Sequence, residues 1–577
     1  MYKQFKYILT TLVFLSSATL MFSQEKDTIQ TDVISVVKPY TPTISDAFKV
    51  KTNPALEDNL SSDKKVIEYE ILSVPVASTF IPTKGKAALV EREKPELFFE
   101  NYLTLGFGSY GTLRSELYIT KEIDRIGSFG ARLAFDKANA FDPDSDPEPL
   151  DQILDNSYSN FNLEMEYIKR QRDITWSIKG GLERQKFNWY GVGDSSVPNN
   201  TDVLHNYYDL YFIGDLAFDY TYVKSASLTL RRFYDDFDSG ESHLKFTGRV
   251  DLPIMDEEIH TDVRLEYFNG HAGASYAKGG TIPDYGNLLL GISPSYELRR
   301  DDFTLNVGAS IYYMVGMNST ESNFYAYPNI TGSYRIVDDA VIAYGGLTGD
   351  VIQNTYREFA HTNQFLSPTI NVKPTDNNLN AYAGMLGKFT NSIGYNVKVG
   401  YTSEKDKSLF RKNTTNEGER VYKHGNSFTV VYDDIKTIHA LGELTMDMNK
   451  NLKMGLRAEY MSYNTEFQEE AWNLPNIKAS VFGDYLSDSK WFAGANIFYV
   501  GERKDQDISS VGTITSTEII DIDGYIDLNL NGGYNFNNRI TVFLKLNNIA
   551  GQNYDRWDNY YVQGFQVLGG ATYKFDF

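Results

Sequence analysis

The chain has 577 residues, with 76 Asp and Glu against 55 Lys and Arg, a formal net charge of −21, and no Cys. That acidity argues against nucleic acid as a partner, and the missing Cys excludes a lipid-anchored lipoprotein, disulfides and thiolate metal sites. The 42 Tyr, 35 Phe and 44 Gly suit aromatic girdles and close packing of strands.

Residues 1–23 read as an export signal. Lys3 and Lys6 form its basic start, residues 8–22 its apolar stretch, and Ser23 with Gln24 the cleavage point. A membrane anchor is the weaker reading, because Thr10, Thr11, Ser16 and Ser17 interrupt a stretch already short for a span. No later run approaches the roughly 20 apolar residues a spanning helix needs. An exported membrane protein then crosses as a closed barrel, since every backbone polar group must be paired within lipid.

Residues 24–96 read as an extended periplasmic or lumenal arm, spaced by Pro39, Pro42, Pro54, Pro75 and Pro82. Two β-prone stretches stand out, 66–76 and 32–37 (Asp32, Val33, Ile34, Ser35, Val36, Val37), and the neighbouring prolines keep them from growing. Such an arm adds strands to a partner or lies in a lumen; the bland alternative is a partly disordered leader.

From 97 to 577 a two-residue period recurs. In 303–313, Phe303, Leu305, Val307, Ala309, Ile311 and Tyr313 alternate with Thr304, Asn306, Gly308 and Ser310. The same pattern marks 393–401, 452–460 and the final strand, where Phe565, Val567, Tyr573, Phe575 and Phe577 share a face. Tight turns at 300–302, 337–339, 390–392, 449–451, 487–489 and 535–538 alternate with long polar connections at 138–156, 187–205, 269–285, 351–378, 403–434, 464–473, 502–521 and 548–562. Short periplasmic turns and long outer loops are the pattern of bacterial barrels.

The period predicts an all-β, transmembrane antiparallel barrel of about 22 strands (range 18–24). The strands start near 98, 111, 127, 157, 173, 206, 224, 240, 257, 286, 302, 322, 339, 379, 392, 435, 451, 474, 489, 523, 538 and 565. A lumen that wide is not filled by its own side chains, and such barrels normally carry a plug. What closes this one is the functional question.

No catalytic constellation rises above chance, so the chain reads as no enzyme. The seven His (205, 243, 260, 271, 361, 424, 439) form no i, i+3 or i+4 pair, which leaves a zinc site without sequence support. Asp142, Asp144, Asp146, Glu148 and Asp151 alternate at a spacing calcium can use. The Gly of a calcium turn is missing there, and Pro143, Pro147 and Pro149 stiffen the loop, so an acidic solvated loop is the plainer reading. Trp472, Trp491 and Trp557 fall near predicted strand ends, where girdle anchoring outweighs sugar stacking.

The C-terminal third resembles the closing strands of TonB-dependent outer-membrane receptors of the Bacteroidota. The resemblance rests on WNLPNIKASVFGDYL (472–486), KWFAGANIFYVGERKD (490–505) and, most specifically, LKLNNIAGQNY (544–554) followed by an aromatic-ended last strand. GLTGDVIQNTYREF (346–359) with AYAGMLGKF (381–389) also resembles flavobacterial receptor-like barrels. The resemblance implies nutrient uptake across the outer membrane, contact with lipid and lipopolysaccharide, and a periplasmic energy transducer that would pair with 32–37. It also implies recognition of Tyr573, Phe575 and Phe577 by the barrel-insertion machinery. The family's plug of more than 100 residues has no counterpart here. That departure sets against the uptake reading a non-transporting scaffold or assembly subunit, its lumen closed by the arm or a partner.

Overall fold

The computed structural model describes residues 99–140, 155–191, 202–219, 221–254, 257–318, 320–415, 420–487, 490–511 and 514–577. The export signal, the arm with residues 32–37, and the acidic loop at 142–151 lie outside the described residues.

From Asn101–Gly108 to Gln566–Phe575, 22 strands form one antiparallel sheet. The last strand pairs with the first, from Asn101↔Phe575 to Gly108↔Leu568. Closure removes the free edge that lipid would leave unsatisfied. Every barrel strand begins within four residues of its predicted start except one, which begins at Phe428 rather than 435.

The predicted long connections need three corrections. Between 403 and 434 the sheet runs on to Lys412 and resumes at Phe428, so the connection shrinks to 413–427. Residues 502–521 hold a separate hairpin, Arg503–Val511 paired with Ile514–Ile522. Within 548–562, Asp555–Trp557 pairs with Tyr560–Tyr561. A spanning strand needs about 9–11 residues, so Ile393–Lys412 with 20 residues and Phe428–Asn449 with 22 carry the wall well beyond the bilayer.

The two faces of the sheet separate as the period requires. Leu210, Phe212 and Leu216 are exposed on the outer face of Leu204–Phe218, whereas Tyr207 and Asp209 point inward and are buried. On the inner face, aromatic rings lie flat over glycines of the neighbouring strand. Gly181 faces Tyr211, Gly346 faces Tyr382, Gly455 faces Phe482 and Gly533 faces Phe492, all directly opposed in the ladder. A Cβ at Gly181 would fall 2.3 Å from the Tyr211 ring, and one at Gly455 2.2 Å from that of Phe482. Glycine there lets the ring lie against the wall instead of projecting into the bore.

Candidate functional site, a lid of loops in the barrel mouth

The long-loop end of the bore is filled by the chain's own connections. Residues 353–374 leave the wall between Val341–Ile352 and Thr375–Thr390 and place Tyr356, Phe359, Ala360, Phe365, Leu366, Ile370 and Val372 in one buried cluster. The cluster also holds inward side chains of distant strands: Phe187, Tyr207, Phe233, Phe268 and Tyr285. Val421 and Tyr422 enter from 413–427, and Trp557 and Tyr560 from the last long connection. Phe187 and Phe428, eleven strands apart in a ring of 22, share this cluster across the bore. Trp189, Leu366 and Phe428 are fully buried, a packing typical of a protein interior rather than of an outer loop.

The lid contains a short helix, Tyr356–Thr362 (α1). Its start is written in the sequence as Thr355-Tyr356-Arg357-Glu358, the Ser/Thr-x-x-Glu spacing of a capping box. Thr355 accepts from the Glu358 N–H at 3.0 Å. The free N–H groups of Tyr356 and Arg357 donate to the carboxylate of Glu241 on the wall, at 2.6 and 3.1 Å. A carboxylate on the first turn is favoured by unpaired donors and helix dipole together. Two more wall carboxylates hold the same turn: Asp235 accepts from the Tyr356 hydroxyl at 2.7 Å, and Asp209 from Arg357 Nε at 2.5 Å. At the other end of the helix, His361 is exposed.

Further along the lid, Tyr207 donates to the Gln364 carbonyl at 3.2 Å, and Ser239 Oγ donates to that of Pro368 at 3.2 Å. The Phe365 and Tyr560 rings stack with centroids 3.5 Å apart, and Tyr560 donates to the Asn426 carbonyl at 2.5 Å. The strand ends below the lid carry bulges at Thr348/Asp350, Asn377/Leu379 and Glu404/Lys407. Bulges increase local twist and re-aim the strand, here where 353–374 leaves the wall.

The separate hairpin staples the lid from the side. Asp505, fully buried, accepts from Lys412 N–H at 2.9 Å, Gln506 N–H at 2.8 Å and Asn473 Nδ2 at 2.7 Å. Burial pushes its carboxyl up to about 6. Lys412 Nζ reaches Asp558 and, at 3.4 Å, Asp507. Arg503 donates to the carbonyls of Arg556 and Asp555 at 2.5 and 2.6 Å.

Parts of the segments that carry the family resemblance reach this lid. Residues 346–359 are a wall strand running into α1. In 544–554, Asn548 is a turn staple with φ of 46°, its Nδ2 donating to the carbonyls of Gln552 and Gln563 at 2.8 and 2.9 Å. That turn delivers Trp557 and Tyr560. Trp472 and Trp557 are buried, at 2% and 8% exposure, so the girdle reading fails for both. Trp472 packs on Leu409 and Ile435, and Trp557 lies 5.3 Å from Phe428. Inward-folding loops supplied an apolar interior that linear position does not reveal. Trp491 is 60% exposed on the outer face, as a girdle requires. At the end of the last strand Tyr573 stacks on Phe575 with centroids 5.8 Å apart, and Phe575 meets Phe577 edge-on at 5.3 Å.

No family model matches the chain, and no curated relative matches its sequence. Solved structures do match. The siderophore receptor PirA from Acinetobacter baumannii superposes with a TM-score of 0.61 at 11% identity, over 83% of this chain and 81% of that one. The FrpB iron transporter from Neisseria meningitidis gives 0.61 at 10%, over the same shares. The ferripyoverdine receptor of the outer membrane of Pseudomonas aeruginosa gives 0.59 at 12%, over 84% of this chain and 73% of that one. The fold is that of a TonB-dependent receptor barrel of the outer membrane. At these identities the likeness establishes architecture alone.

Proposed function

We propose that the chain is a receptor-like outer-membrane barrel for uptake of a nutrient, gated from outside by its lid. The observation that carries the reading is the cluster around α1, which crosses a bore that 22 strands leave too wide for side chains alone. Residues 353–374 form one connection of the wall, docked on the carboxylates of Asp209, Asp235 and Glu241 and packed against two further connections. Residues 24–96 act from the periplasmic side, with 32–37 (Asp32 to Val37) pairing as an added strand with an energy transducer or plugging partner. Tyr573, Phe575 and Phe577 serve insertion by the barrel-assembly machinery, and the outer face meets lipid and lipopolysaccharide.

A second reading, a non-transporting scaffold or subunit, draws support from the same packing: Tyr356, Ala360 and Leu366 of the lid are as buried as side chains of a protein interior. Single-channel conductance in planar bilayers separates the two. We expect the full chain to be silent, and a variant with 353–374 replaced by a short Gly-Ser linker and 25–95 deleted to conduct. If replacing the lid alone opens the bore, the arm is not a seal. Silence in every variant would remove the gated-conduit reading and leave the scaffold.

A further inference from the structure

The lower edge of α1 meets the wall at a group of three side chains, of which Asp209 alone also holds the lid through Arg357. Glu183 and Asp209 are directly opposed in the ladder of Ile174–Asn188 with Leu204–Phe218. Like charges at that spacing repel. His361 of α1 comes down over them, and the ligand atoms of the three residues lie within 4.8 Å of one another.

Gln185 Nε2 stands 2.8 Å from Glu183 Oε1 and 3.1 Å from His361 Nδ1. An amide N–H donates to both, so a carboxylate lone pair and an imidazole lone pair converge on one point held by a single neutral donor. Asp209 adds an independent sign. Its Oδ2 takes Arg357 Nε at 2.5 Å and Arg231 Nη1 at 3.4 Å, while Oδ1 is buried without a hydrogen-bond partner in a side chain only 2% exposed. A buried carboxylate oxygen left unpaired is costly and calls for a partner.

We propose that Glu183, Asp209 and His361 bind a divalent transition-metal ion of the zinc class and thereby tie the lid helix to the barrel wall. One imidazole and two carboxylates suit Zn²⁺ and its borderline neighbours, whereas Mg²⁺ and Ca²⁺ favour all-oxygen sets. Entry of the ion displaces the Gln185 amide and draws the three ligands together. Arg357 and Arg231 then hold the outer oxygen of a ligating carboxylate, as surrounding partners of metal ligands commonly do. Their positive charge opposes the dication and keeps affinity below that of a site without them. The three ligands lie 26 and 152 positions apart in the chain, which is why no spacing motif announces them.

The test is calorimetric titration of ZnCl₂ into the detergent-solubilised full chain, with MgCl₂ as the contrasting probe. A second group, Asp251, Glu258 and His260, lies at the short-turn end, where His260 Nδ1 is already bonded to Asp251 at 2.7 Å. His260→Gln therefore serves as the reference variant. The wild type and H260Q are expected to show a saturable Zn²⁺ equivalent that His361→Gln and Glu183→Gln weaken by at least about tenfold, with no comparable signal for Mg²⁺. Gln185→Ala removes the competing donor and should bind at least as tightly as the wild type, a result that damage to the fold would not give. No saturable Zn²⁺ binding in the wild type, or a wild-type isotherm in H361Q, overturns the proposal. Should H361Q fail to fold by circular dichroism, Q185A decides: binding retained or tightened supports the site, and binding lost refutes it.

Discussion

Tyr356 is the side chain on which the lid should prove most dependent. It is 1% exposed, meets Tyr207 and Phe233 edge-on at 5.8 and 5.3 Å, and donates its hydroxyl to Asp235 at 2.7 Å. Truncating a buried aromatic costs about 3–5 kcal/mol, and losing a hydrogen bond to a carboxylate about 1.5–3 kcal/mol. The two losses overlap, so Tyr356→Ala should weaken lid docking by roughly 4–6 kcal/mol, and at 1.4 kcal/mol per decade that raises the open population about 10³- to 10⁴-fold. Tyr356→Phe keeps the ring and loses only the hydrogen bond, for roughly 10- to 100-fold. The absence of native Cys supplies a clean assay. A single Ala360→Cys, at a position 1% exposed within the lid, reacts with a bulky maleimide only when the lid opens. Labelling rates should rise from wild type through Y356F to Y356A. If Y356A labels at the wild-type rate, or Y356F labels faster than Y356A, the lid is not held by this contact and the reasoning fails.

Lys412→Ala leaves Asp558 and Asp507 without their shared cation and should loosen the hairpin by about 3 kcal/mol, read as faster hydrogen exchange at 503–507; unchanged exchange would show the ion pairs to be idle. Asp505 has a folded pKa of about 6 against an ordinary 3.8, so its protonated form favours the docked hairpin. Docking should be strongest below about pH 4, weaken by up to about 3 kcal/mol as pH rises to about 6, and stay level above that; Asp505→Asn should flatten the profile, and an opposite slope would contradict the assignment. Gly181→Val would drive a side chain into the Tyr211 ring and should cost about 1–3 kcal/mol, seen as a lower temperature for loss of the heat-modifiable gel band. Brominated lipid should quench Trp491 strongly and leave Trp472 untouched; equal quenching would place Trp472 back in a girdle.

The barrel was legible in the sequence because its determinant is local. A residue's face follows from the parity of its position once strands pair in register, so 303–313 or 393–401 declares itself without knowledge of any partner. Turn chemistry at 300–302 and 449–451 then fixes where the chain reverses. The one strand start misplaced by more than four residues, at Phe428, lies where the wall rises beyond the bilayer. There the inner side is apolar, because the lid covers it, and alternation fades.

The lid itself left a single local mark, the capping box at 355–358, which lies inside a stretch that otherwise reads as an outer loop. Composition cannot tell a solvated loop from one folded inward; the difference lies in what surrounds it. Trp557 and Tyr560 find Phe428 and Phe365, and Arg357 finds Asp209 148 positions away, only when 22 strands have closed into a ring and brought their ends to one mouth. The sequence by itself determined the wall: its strands, their order, and which face meets lipid, all consequences of a two-residue period and nearest-neighbour pairing. Only the tertiary structure decided what stands in the bore, because that rests on contacts between connections far apart in the chain, which closure of the sheet makes neighbours.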